Sequence, residues 1–132
     1  MIREAVIVAG GRTAIGRAHK GSLRQIRTDD LAGRVIQHLL LQHQDKLDPL
    51  QIEDVVMGCA YPEGSQGNNT GRVIALRSGL PSSVPGMTVN RLCASGLQAI
   101  AIAAQRIITG ECDIVIAGGL ESMSLIKRRF IN

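Results

Sequence analysis

The chain has 132 residues and a mass of 14.1 kDa, enough for one domain with a real hydrophobic core and too little for a multidomain enzyme. Apolar residues make up 45% and charged residues 20%, and 15 glycines stand against four prolines, a balance that excludes a disordered tail as the main state. The formal net charge of +4 gathers at the two ends, in residues 1–34 and 127–132, so it reads as a solvated surface able to steer an anionic substrate, not as a nucleic-acid stripe. With aromatics at 2%, a base-stacking platform has almost nothing to stack with, and no nucleic-acid partner is expected.

No apolar run approaches the ~20 residues of a membrane span, and the N-terminal residues lack the basic region and long apolar core of a signal peptide. The expectation is a cytoplasmic protein with no membrane partner. Cys59, Cys93 and Cys112 show no CxxC spacing and no even pairing, which points to free thiols in a reducing compartment.

In chain order, residues 4–9 (EAVIVA) form an apolar run closed by Gly10 and Gly11, the pattern of a buried strand ended by a turn. A polar, glycine-rich loop leads to Thr28, whose hydroxyl can cap a helix that Asp29 and Asp30 favour at its positive end. Leu31, Val35, Ile36, Leu39 and Leu40 then share one face, predicting a helix over 28–43 that covers a sheet. After Asp48 and Pro49, residues 54–60 (DVVMGCA) read as a second buried strand. Helix signals return from Thr70 to Leu76 and stop at Gly79; residues 86–91 are extended; a third helix runs from Cys93 or Ala94 to Gly110, a suitable C-cap. Residues 113–117 (DIVIA), closed by Gly118 and Gly119, form a fourth buried strand.

The order βαβαβαβ with continuous apolar strands predicts an α/β layer with a mostly parallel sheet and helices on both faces. The third helix stands apart, because Leu97, Ile100, Ile102, Ile107, Ile108 and the intervening alanines cover most of its circumference. A four-stranded sheet covers one side of such a helix, so another part of a longer chain or a partner subunit should cover the rest.

Residues 11–16 have the GxxxxG spacing of a phosphate loop, but Arg17 and Ala18 follow where Lys and a hydroxyl residue are needed, and no GxGxxG ends the first strand. His19, His38 and His43 are scattered without cysteine or carboxylate at ligand spacing, so no metal is predicted. Cys59, in mid-strand, and Cys112, in a turn, read as small apolar fillers. Cys93 lies where an extended segment meets a helix N-terminus, a place where free N–H groups favour an anion and a strand-to-helix turn projects the side chain outward. Spacing alone leaves a nucleophile and a core cysteine equally open.

Residues 89–100 (VNRLCASGLQAI) resemble the acyl-enzyme segment of thiolases, and residues 117–124 (AGGLESMS) resemble the segment that follows it. Residues 6–9 (VIVA), 11–13 (GRT), 15–16 (IG), 58–60 (GCA) and 62–64 (PEG) agree in the same order, the middle stretch leaning toward the degradative 3-ketoacyl-CoA type. The resemblance implies a layered α-β-α-β-α fold in which the third helix is buried between two sheets. It also implies an acyltransferase with catalytic Cys93 as nucleophile, acyl-CoA and coenzyme A as substrates, no cofactor beyond them, and a homodimer or homotetramer. Residues 125–132 (LIKRRFIN) depart from the family, where the chain continues into a second half that supplies an activating histidine, a second cysteine and oxyanion groups. The expectation is therefore a partial N-terminal domain over 1–124 with a divergent basic tail over 125–132, truncated or completed by another polypeptide. The alternative is a catalytically silent folding or dimerisation module.

Overall fold

The computed structural model describes residues 3–126. Helix α1, Thr28–Gln42, begins where expected, with Asp29 and Asp30 in its first turn, but the expected cap is corrected: Thr28 is the first helical residue and its side chain caps nothing. Its hydroxyl bonds instead with the Ser65 hydroxyl at 3.2 Å and donates to Gln66 Oε1 at 3.4 Å, so α1 is tied to the loop at 59–66. Asp29, almost wholly buried, accepts from Arg27 at 2.8 Å and pairs with Arg77 at 3.0 Å. That ion pair locks α1 to α2, Thr70–Arg77. Asn69 caps α2, its side-chain oxygen accepting from Arg72 N at 3.4 Å.

The sheet has three parallel strands in the order β2-β1-β3: β1 is Asp54–Gly58, β2 is Gly86–Val89 and β3 is Val115–Gly119. Val55 stands opposite Gly86 and Ile116, and Gly58 opposite Val89 and Gly119. Central β1 is buried throughout, as its unbroken apolar run requires. Val55 and Met57 join Ile36, Ile74, Ala75 and Val84 in a core beneath α1 and α2. Asp54 and Gly58 point the other way, onto α3, Ser95–Ile108. Helices thus lie on both faces, as predicted.

Boundaries move in every strand. The second ends at Gly58 rather than at residue 60, the extended segment over 86–91 is a strand only to Val89, and the last one starts two residues late and includes both glycines that were expected to end it. A larger correction concerns residues 4–9, which form no strand. Ile7 and Val8 are each 84% exposed. The run has the composition of a strand, but among the described residues it has no hydrogen-bonded neighbouring strand, and a single segment gains nothing from β propensity alone. A cleft of about 470 Å³ separates residues 8–13 from β3, floored by the α1 residues Leu31, Val35 and Leu39.

Helix α3 meets the sheet through its small residues. Ser95, Ala99 and Ala103 are buried, while Leu97 is 73% exposed and Ile100 and Ile108 are about half exposed. Its apolar character therefore exceeds what one sheet covers. Arg106 near its end pairs with buried Asp54 and, at 2.7 Å, with Glu111.

Candidate active site

Three loops leave the carboxyl ends of the parallel strands together: residues 59–66 after β1, 90–94 after β2 and 120–122 after β3. In open α/β sheets this end is where ligands meet side chains. Cys93 lies in the second loop and is exposed, whereas Cys59 and Cys112 are buried.

The turn that presents Cys93 is tightly specified. Leu92 has φ of 51°, in the left-handed region that costs a Cβ-bearing residue of order 1–3 kcal/mol. Its N–H donates to Asn90 Oδ1 at 2.9 Å, and its carbonyl accepts from Ser95 N at 3.1 Å and from the Ser95 hydroxyl at 2.6 Å. Ser95 Oγ also accepts from Arg91 N at 2.9 Å. Arg91 in turn donates to Gln98 Oε1 at 3.0 Å. The backbone thus reverses from β2 into α3 on a set of local hydrogen bonds, and Cys93 is exposed at the reversal.

Close backbone packing carries this turn down onto the sheet. A Cβ on Gly58 would lie 2.4 Å from Ser95 C and 2.6 Å from Gly96 N, so the first turn of α3 rests on the bare backbone at the end of β1. Leu120 N donates to Gly58 O at 3.1 Å, which joins the third loop to the same point.

Beside the turn, Glu121 organises the first loop. Its carboxylate accepts from Ala60 N at 2.7 Å, from Tyr61 N at 3.4 Å and from Gln66 Nε2. Gln66, wholly buried, spends its amide on both neighbouring loops: Nε2 also donates to Tyr61 O and Oε1 accepts from Ser122 N, each at 2.7 Å. Cys59 lies 3.7 Å from Glu121 Oε1. Burial, reinforced by the Glu121 charge, pushes its thiol up to about 11, so Cys59 stays protonated near neutral pH. Burial also raises the Cys112 thiol. Both fit the reading as inert fillers.

Hydrogen bonds across the loops join Asn90, Ala60, Gln66, Glu121 and Ser122, while Asn90 and Ser95 fix the Leu92 turn next to Cys93; of these residues the sequence reading named Cys93. Asn90 and Gln66 look like ordinary loop polar residues in the sequence; the position of Asn90 directly after a strand was the available signal, and Gln66, well beyond the end of β1, carried none. His38 and His43 lie on or just after α1, and among the described residues no histidine hydrogen-bonds Cys93. Nor does Cys93 line the cleft beside β3. An exposed thiol in a rigid turn can attack an electrophile brought to it; the groups around it hold backbone in place.

Comparison with known proteins agrees with this fold. The family described as thiolase, N-terminal domain, matches residues 5–130. The chain is 48% identical over 125 residues to a 3-ketoacyl-CoA thiolase of Bacillus subtilis, covering 95% of this chain and 32% of that protein. It is 48% identical over 123 residues to the 3-oxoadipyl-CoA/3-oxo-5,6-dehydrosuberyl-CoA thiolase of Escherichia coli, covering 93% of this chain and 30% of the relative. The crystal structure of the Bacillus anthracis acetyl-CoA acetyltransferase superposes with a TM-score of 0.84 at 34% identity, over 98% of this chain and 33% of that one. The chain thus spans about a third of the length of the relatives it matches.

Proposed function

The chain belongs to the thiolase family, and on that footing we propose that it carries the nucleophile of an acyltransferase, Cys93, acting on coenzyme A thioesters. The observation that carries the proposal is the contrast among the three cysteines, with Cys93 exposed on a fixed turn at the carboxyl end of the sheet and the other two buried. In thiolytic cleavage the Cys93 sulfur bonds to the 3-keto carbon of a 3-ketoacyl-CoA as the adjacent carbon–carbon bond breaks. The electron pair leaves on acetyl-CoA, which takes up a proton, and a second coenzyme A thiolate then displaces the shortened acyl group from the cysteine. Condensation runs the same steps in reverse. The thioester carbonyl stabilises the departing electron pair as an enolate and the cysteine carries the acyl group between steps, so the proposed chemistry calls on no metal or separate cofactor.

Nucleophilic attack on the 3-keto carbonyl also needs a base and donors for the developing oxyanion. Full turnover is accordingly proposed for a polypeptide of the relatives' length, and acyl acceptance at Cys93 for this chain. A homodimer or homotetramer in the cytoplasm belongs to the same reading, supported by the half-exposed apolar face of α3 and by three unpaired cysteines.

Peptide mass mapping after incubation with acetyl-CoA or acetoacetyl-CoA tests the assignment. An acyl adduct on Cys93, absent in Cys93→Ala, is expected. In a chain of full length Cys93→Ser should abolish transfer, because a hydroxyl in that place stays protonated where a thiol can ionise, while Cys59→Ala and Cys112→Ala should mainly disturb packing. Equal loss in all three variants would sink the assignment. The exposed Leu97, Ile100 and Ile108 favour a second reading, a silent association module, and a chain that self-associates yet takes no acyl group supports it.

A further inference from the structure

We propose that Asn90 is a positioning residue for Cys93, acting by holding Leu92 in its left-handed conformation; this rests on the reading of Cys93 as nucleophile. Leucine has no intrinsic preference for a φ of 51°, so something outside its own side chain must keep it there. Two of the bonds to the Leu92 carbonyl come from Ser95 and belong to the first turn of α3. The bond from Leu92 N–H to Asn90 Oδ1, at 2.9 Å, is of another kind, because the same amide reaches across to the rest of the site. Asn90 Nδ2 donates to Ala60 O at 2.9 Å. Ala60 is gripped from its other side, its N–H donating to Glu121 Oε2 at 2.7 Å.

A continuous path of hydrogen bonds thus runs from Glu121 after β3, through Ala60 after β1, to Asn90 and Leu92 after β2, and ends one residue before Cys93. Both halves of the Asn90 amide are engaged in it, which fixes the side chain and, through its oxygen, the Leu92 peptide. Removing the amide frees Leu92 to relax to negative φ. The next residue then swings, and the sulfur no longer points where the turn presents it.

The experiment follows Cys93 of the 132-residue chain with two probes, iodoacetamide and acetyl-CoA, each read as a rate by peptide mass mapping. Asn90→Ala should slow alkylation of Cys93 several-fold and acetyl acceptance about tenfold. Leu92→Gly placed in the same chain should restore both rates, since glycine holds positive φ without a Cβ clash. A purely structural role for Asn90 in anchoring the 59–66 loop predicts no such rescue. Wild-type rates in Asn90→Ala, or a double variant as slow as Asn90→Ala, would overturn the proposal. If Asn90→Ala loses its far-UV circular dichroism, Asn90→Asp carries the test. It keeps the acceptor for Leu92 N–H and drops the donor to Ala60, so an unchanged rate, or a slowed rate recovered by Leu92→Gly, supports the assignment, while a slowed rate that Leu92→Gly does not recover overturns it. A wild-type chain alkylated at Cys93 that never accepts acetyl overturns the acyl-transfer reading, and the alkylation rates then decide the role of Asn90 by themselves.

Discussion

Residues 4–9 and residues 113–117 carry nearly the same message, a short apolar run closed by two glycines, yet they end in opposite states. The second run supplies β3, paired along its length with β1 and covered by α3. The first lies beside the cleft, with Val6 70% exposed and, among the described residues, no ladder of hydrogen bonds. The difference lies in delivery. The α3 crossover carries β3 back to lie beside β1, whereas among the described residues no connection lays residues 4–9 against a strand. An apolar run with strand composition is a half of a ladder, and only a partner makes it a strand.

The comparison can be broken hardest at the point where α3 rests on β1. Gly58→Val places side-chain atoms inside the Ser95 and Gly96 backbone, which cannot yield as a flexible side chain would. It should cost more than about 4 kcal/mol and abolish the cooperative melt, since it drives the turn of Cys93 off the sheet. Next in size is a pair of truncations read by denaturant unfolding. Ile74→Ala, in the fully buried core, should cost about 2–5 kcal/mol, and Ile7→Ala within about 0.5 kcal/mol of nothing. A comparable loss at Ile7 would show that residues 4–9 are packed after all.

A smaller effect concerns pH. The Cys59 thiol is raised in the folded chain from 9.0 to about 11, chiefly by burial and then by the Glu121 charge. The folded state therefore holds this proton more tightly than the unfolded one. Its contribution to stability is complete below 9.0 and fades as pH rises toward about 11. Denaturant midpoints should fall across that window, and fall less in Cys59→Ala; an identical fall in that variant would assign the alkaline loss elsewhere. The mildest test is amide exchange: Val115–Gly119 should be protected and residues 4–9 should exchange at close to free rates.

The candidate site was legible in proportion to how local its signals are. Cys93 is visible because a strand-to-helix junction can be read from a few neighbours, and the segment around it carries the family resemblance. Asn90, Gln66 and Glu121 act across loops: Gln66 and Glu121 are 55 residues apart in sequence and share one hydrogen bond. No periodicity encodes such a pair. Thr28 shows the same limit on a smaller scale, because its residue type suits a helix cap while its hydroxyl is claimed by Ser65 and Gln66.

Taken alone, the sequence determined the three helices, the alternation of helix and strand, the parallel sheet and the surplus of apolar surface on α3. These follow from periodicity, turn chemistry and crossover rules, which act over a few residues or a single connection. Tertiary structure alone decided that β1 is central, that Gly58 serves as the seat of α3, that residues 4–9 stay unpaired and that Leu92 is held at positive φ before Cys93. Each of these depends on which distant backbone arrives within hydrogen-bonding or van der Waals reach, and that is settled when the layers pack.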